Sequence, residues 1–264
     1  MQRTVNAHLQ FVLGGQSDML FQIAVAAGTP ILSESFTFTN DGRVYLPREI
    51  VDSHGTRILR FTGDPGNYEV FYSANVAGSR PIEPVREIDL VGYLRPSRYA
   101  ESDALYMQAR SMFAGLTGLA LVNAVAAWTH ETLEYVPGSS TGTDSARTTL
   151  NAGRGVCRDF AHVVVTMLRA CDVPARVAAV YAPGLSPMDF HAVAEAWVDG
   201  RWNVVDATRL APRQSLVRIS TGRDASDIAF LTNHIGNLRL STVEVNAVSD
   251  SILADDHLSA AVLA

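Results

Sequence analysis

The feature that most restricts how this chain can fold is the dipeptide Asp199-Gly200, set between two strand-like runs, Ala192 to Val198 and Trp202 to Asp206. Asp-Gly is among the strongest short hairpin signals, because the two-residue type I′ turn needs positive φ at both positions. If the turn holds only these two residues, Val198 faces Arg201. Stepping outward, Val193 lies opposite Asp206 and His191 opposite Thr208. Side chains two apart along a strand share a face, so His191 and Asp206 become diagonal neighbours. That geometry lets a carboxylate orient an imidazole. A three-residue turn would break the register. Taken alone, His191 is more often a satisfied structural histidine and Asp206 a turn acid; their pairing raises both above that reading.

A second signal lies upstream, in Gly153-Arg154-Gly155-Val156-Cys157-Arg158-Asp159-Phe160-Ala161. After Cys157 the apolar positions Phe160, Val163, Val164, Met167, Leu168 and Cys171 recur at helical spacing. Cys157 therefore starts a helix, where unpaired N–H groups and the helix dipole favour a thiolate. Arg154 and Arg158 are expected to add to that effect, and the two glycines to let backbone approach closely in front of the cysteine. Most free cysteines are simply small buried hydrophobes, and Cys171, on the apolar stripe, gets that reading. The two cysteines stand at opposite ends of the helix, roughly 21 Å apart at helical rise, so no disulfide joins them.

From Val5 to about Glu87 the texture is that of strands. Val5, Ala7, Leu9, Phe11 and Leu13 alternate with polar residues, and short runs at 20–26, 31–39, 44–46, 57–62 and 68–76 follow. Asn40-Asp41-Gly42, Gly63 to Asn67 and Gly78-Ser79 mark turns between them. This spacing predicts a β-sandwich over residues 1–95. After Arg95-Pro96-Ser97 helices are expected from Ser102 or Asp103 to Phe113, over 119–133, 144–152 and 157–170, with Pro137 to Thr143 as a loop. Strands return at 175–181, 192–198, 202–206 and 238–248. The fold class is α+β: a β-sandwich domain at 1–95, then an α+β domain at 96–264 with the last dozen residues weakly held.

Charge and composition narrow the function. A net charge of −6 argues against nucleic-acid binding, which needs clustered cations. No apolar stretch has the length of a membrane span, and the N-terminus lacks the pattern of a signal peptide; a cytoplasmic location is expected. No ligand spacing suits zinc or calcium, and no phosphate loop appears, so neither metal nor cofactor is expected. A metal hydrolase using His191 fails on ligand count. His162 is expected to pack or cap, and Glu195 to be a structural ion-pair partner.

Gly155 to Ala161, followed by His191-Ala192 with Glu195 and Trp197, then Trp202 and Asp206-Ala207-Thr208, resembles the transglutaminase-like superfamily core. The strand-rich first third resembles the N-terminal domain of bacterial transglutaminase-like proteins, many of them taken for cysteine proteases. The resemblance implies Cys157 as nucleophile, His191 as base and Asp206 as orienter on a papain-like core. It departs only at Ala207, where many relatives have proline. The chemistry implied is hydrolysis of a peptide or protein amide, or acyl transfer to an amine. Glutamine-directed cross-linking and a non-catalytic binding role are the alternatives. The Cys157 backbone N–H is the expected oxyanion donor; for a second, Trp128 and Tyr135 lie in the right region, with no choice between them. Substrate identity and oligomeric state are not legible.

Overall fold

A computed structural model describes residues 1–82, 85–251 and 254–263. Its first part holds β1 (Gln2–Leu13), β2 (Ser17–Phe21), β3 (Ile31–Asn40), β4 (Arg43–Val44), β5 (Arg48–Val51), β6 (Arg57–Gly63) and β7 (Gly66–Ala77). Next come α1 (Glu87–Gly92), α2 (Tyr106–Met112), α3 (Gly118–Thr132), β8 (Glu134–Tyr135), α4 (Ala146–Ala152), β9 (Arg154–Gly155) and α5 (Cys157–Ala170). The chain ends with β10 (Ala175–Tyr181), β11 (His191–Val198), β12 (Arg201–Val205), β13 (Val217–Gly222), α6 (Ala225–Ile228), β14 (Leu231–Ile235) and β15 (Leu238–Ser249).

The strict alternation of β1 buries Val5, Ala7, Leu9, Phe11 and Leu13 on one face. β1 pairs antiparallel with both β7 and β15 inside a five-stranded sheet ordered β15-β1-β7-β3-β4. A second sheet, β14-β2-β6-β5, packs against it. Phe11 and Phe38 of the first sheet meet Phe21 and Phe61 of the second, with the Phe38 and Phe61 ring centroids 4.5 Å apart and edge-on. This aromatic cluster joins the two β layers.

The division expected at residue 95 does not describe the C-terminal strands. β15 adds to β1 from Arg3↔Ser249 to Leu13↔Leu238, and β14 adds to β2. Residues 231–249, assigned from sequence to the second domain, complete the sheets of the first part. The physical reason is edge protection: β1 and β2 would otherwise expose unpaired backbone groups. Of the last dozen residues, 253 and 264 lie outside the described residues, and those between are held in place. Ala261 accepts from the Val204 N–H at 2.8 Å, and Asp255 holds Arg213 at 2.8 Å.

Between the first β layers and the α-helices lies a third antiparallel sheet, β12-β11-β10-β13. Helix α5 packs on it and is buried from Asp159 to Ala170. Although it carries Asp159, His162, Thr166 and Arg169, it is buried nearly all round, and α2, α3 and α4 cover its remaining sides. Its one buried cation, Arg169, donates to the carbonyls of Arg95, Ala175 and Arg223 and to Ser97 Oγ, fastening three loops around the helix end. Among the described residues no helix is long and apolar enough to cross a membrane.

Candidate active site

The hairpin has the register its sequence requires. Asp199 (φ 53°) and Gly200 (φ 73°) form the two-residue turn, and Val198↔Arg201 through Ala194↔Val205 are paired. One step further, His191 Nε2 and Asp206 Oδ2 lie 2.9 Å apart, both residues almost fully buried. The other carboxylate oxygen, Oδ1, accepts from the Thr208 N–H at 3.0 Å and its hydroxyl at 2.7 Å. The Ala207 carbonyl lies 2.9 Å from His130 Nδ1 on α3, which fixes the segment from behind. Alanine thus serves in the middle of Asp206-Ala207-Thr208, because the orientation of Asp206 comes from its neighbours.

Cys157 opens α5, half-buried, with its thiol 4.0 Å from the Phe190 carbonyl and beside the His191 ring. The helix start is built by Asp159, whose carboxylate accepts from the Val156 N–H at 2.8 Å. Gly155 is needed for that closure: a Cβ there would come within 2.6 Å of Asp159 Cβ. Its small size serves the helix cap rather than an approach by substrate. Gly153, at φ 65°, ends α4 in the left-handed conformation that glycine favours. The expected help from two arginines is not present as a free charge. Arg158 pairs with Asp159 at 2.9 Å and bonds the loop at Ser140 and Thr141, while Arg154 is exposed.

Electrostatics couple the pair. Burial by itself would lower the proton affinity of His191, but the Asp206 carboxylate and neighbouring Cys157 outweigh it and hold its pKa at about 10. Burial pushes Asp206 the other way, and its bonds to His191 and Thr208 keep it below its ordinary value. Nδ1 of His191 is buried with no nitrogen or oxygen partner, so it is the ring atom left for the sulfur.

Tyr135 is the aromatic that reaches this site. The two-residue parallel ladder of β8 and β9, Tyr135↔Gly155, sets its hydroxyl beside the Cys157 backbone amide. Burial chiefly, with Cys157 and Asp189 adding to it, pushes its pKa to about 12, so the hydroxyl keeps its proton at neutral pH. A strand of two residues is too short for any periodicity to reveal. Trp128 instead packs edge-on against Phe113.

The remaining candidates fall into structural places. Glu195, fully buried, accepts from Arg176 at 2.8 Å and Arg218 at 2.6 Å. His162 stacks on Tyr99, accepts from the Ala225 N–H at 3.0 Å, and is held neutral by burial, with a pKa of about 4. Cys171, at the far end of α5, is half-buried and packs against the hydrophobic core.

In front of Cys157 and His191 is a cleft of about 460 Å³, walled by Phe190, Phe230, Ile219 and Ile228. Gln22, from the segment after β2, also lines it, so both parts of the chain contribute to the cleft.

Residues 109–207 match the sequence profile of the Transglutaminase-like superfamily. The structure is similar to that of a candidate cysteine protease from Cytophaga hutchinsonii, with a TM-score of 0.87 and 28% identity over 98% of this chain and 96% of that one. An uncharacterized protein of Mycobacterium leprae is 31% identical over 120 residues; the match covers 41% of this chain and 42% of that protein, less than half its length. Over residues 109–207 the chain carries a transglutaminase-like superfamily core, and with the likeness to a candidate cysteine protease this supports a cysteine-based hydrolase or acyltransferase family.

Proposed function

We propose that this protein is a cysteine-nucleophile amide hydrolase, a peptidase or amidase, acting through Cys157, His191 and Asp206. The observation that carries the reading is the position of His191: one ring nitrogen is taken by Asp206 at 2.9 Å, and the other is left for the Cys157 thiol. The likeness to a candidate cysteine protease over nearly the whole chain supports a peptide or protein amide as substrate.

In this reading His191 holds the thiol proton as an imidazolium, and the sulfur attacks the carbonyl carbon as a thiolate. The oxyanion that forms is held by the Cys157 N–H and the Tyr135 hydroxyl. Collapse expels the amine with the proton from His191 and leaves a thioester on Cys157. Water then releases the acid; an amine in its place would give transfer. Asp206 fixes the tautomer and stabilises the imidazolium throughout. The cytoplasmic location expected from sequence is part of this proposal.

The test is turnover of a fluorogenic peptide-amide library, with and without a primary amine as competing acceptor. Turnover that disappears in Cys157→Ala, with free acid as main product, supports hydrolysis. Product carrying the added amine supports transfer. Unchanged turnover in Cys157→Ala would refute both.

A further inference from the structure

Beside the apolar cleft the Cys157–His191 pair has polar neighbours. Phe190 walls the cleft, but Tyr135 and Asp189 lie outside its lining. Asp189 is exposed, and its Oδ1 accepts from the Phe190 N–H at 2.7 Å. The carbonyl of the same Phe190 lies 4.0 Å from the Cys157 sulfur. The backbone of one residue therefore links carboxylate to thiol, which keeps Oδ1 within about 10 Å of the sulfur. Its charge joins burial and Cys157 in holding the Tyr135 hydroxyl protonated. The cations at the cleft are engaged elsewhere: Arg158 pairs with Asp159, and His191 with Asp206. Among the described residues no cation pairs with Asp189. Enough protein surrounds the carboxylate that burial, opposed by the Phe190 N–H and by His191, leaves its pKa above the ordinary value. A carboxylate so placed, without a counter-charge, favours a cation brought from outside.

We propose that Asp189 is a specificity-determining residue, which selects amide substrates carrying a cationic side chain, lysine or arginine, on a residue flanking the scissile bond. This rests on Cys157 being the nucleophile and names the charge its substrate bears. The apolar walls take one part of the substrate, and Asp189 draws a positive group to the thiol from outside the cleft. A separation of about 10 Å is near the Debye length at 0.1 M salt, so the attraction acts before contact is made. An acidic side chain in the same place meets repulsion, so the selection works in both directions.

Charged methanethiosulfonates read the field at the thiol. The Cys157 sulfur forms an S–S bond with the sulfenyl sulfur, methanesulfinate leaves with the electron pair of the broken S–S bond, and the thiol proton stays on His191. The quantity followed is the rate with the trimethylammonioethyl reagent divided by the rate with the sulfonatoethyl reagent, read at Cys157 by peptide mapping. Asp189→Asn keeps an oxygen for the Phe190 N–H; it should lower this ratio about fivefold at low salt, and the difference should shrink at about 1 M salt. Amide turnover then reads the selection, with lysine, norleucine and glutamate scanned along peptides on either side of the scissile bond. At one position lysine should raise kcat/KM about fivefold over norleucine. That advantage should vanish in Asp189→Asn and pass to glutamate in Asp189→Arg. A carboxylate that merely held the loop would change all three substrates alike. A reagent ratio unmoved by Asp189→Asn, or a lysine advantage absent from the parent or surviving in Asp189→Asn, would overturn the proposal. If no amide is turned over, the hydrolase reading falls and the reagent ratio alone decides this inference; turnover without charge selection would spare that reading and refute this one.

Discussion

His191 Nε2 and Asp206 Oδ2 lie 2.9 Å apart across a hairpin closed by Asp199 and Gly200. Asp206→Asn changes one atom of this contact and keeps the side-chain shape. Thr208 and the backbone still hold residue 206 in place. Turnover should fall by about 10²–10⁴ while the protein still folds, because asparagine favours the wrong imidazole tautomer. Steady-state kinetics and calorimetry on the same preparation check this; normal turnover would break the link between hairpin and mechanism.

The turn itself can be tested by stability. Asp199→Asn should stay within about 0.5 kcal/mol of the parent, since Asn-Gly suits the same turn. Gly200→Val places a branched side chain at φ 73° and should cost about 1–2 kcal/mol. Urea denaturation of the two variants should separate them clearly; equal midpoints would mean that the turn does not set the register.

How much of this was legible beforehand follows from chain length and locality. Cys157, His191 and Asp206 sit on a long helix and a two-residue hairpin, where periodicity and turn chemistry act over neighbouring residues. Tyr135 owes its place to a two-residue ladder with Gly155, and nothing near Tyr135 in sequence signals that contact. β15 reads as a strand, but its partner β1 is more than two hundred residues away, so a boundary at 95 separates it from that partner. β13 and β14 escaped notice because their polar residues, among them Arg218 and Asn233, interrupt any simple alternation.

Stability should depend on pH from both sides. Glu195, with burial opposed and outweighed by Arg176 and Arg218, has its pKa depressed from 4.5 to about 2. Its contribution is present above 4.5 and is lost as pH falls through the folded value. His191 is raised from 6.5 to about 10, so its contribution is complete below 6.5 and is lost as pH rises through 10. Urea midpoints should therefore decline below about pH 4.5 and again above pH 6.5. In Asp206→Asn the alkaline decline should flatten; a parent protein with no alkaline decline would contradict the charged pair.

Cys157 should be alkylated by iodoacetamide far faster than Cys171. Both are half-buried, so exposure does not separate them. The difference is chemical: Cys157 has an imidazole beside it, while burial pushes the Cys171 thiol pKa up. Peptide mapping after timed labelling measures both rates at once. Equal rates would count against Cys157 as the activated thiol.

The most direct measurement is intact-mass analysis of the acyl-enzyme, trapped by acid quench during turnover of a peptide amide or its activated ester. The mechanism predicts one acyl adduct, mapped to Cys157, absent in Cys157→Ala and forming at least about a hundredfold more slowly in His191→Ala. An adduct on any other residue, or undiminished product formation by Cys157→Ala, would contradict it.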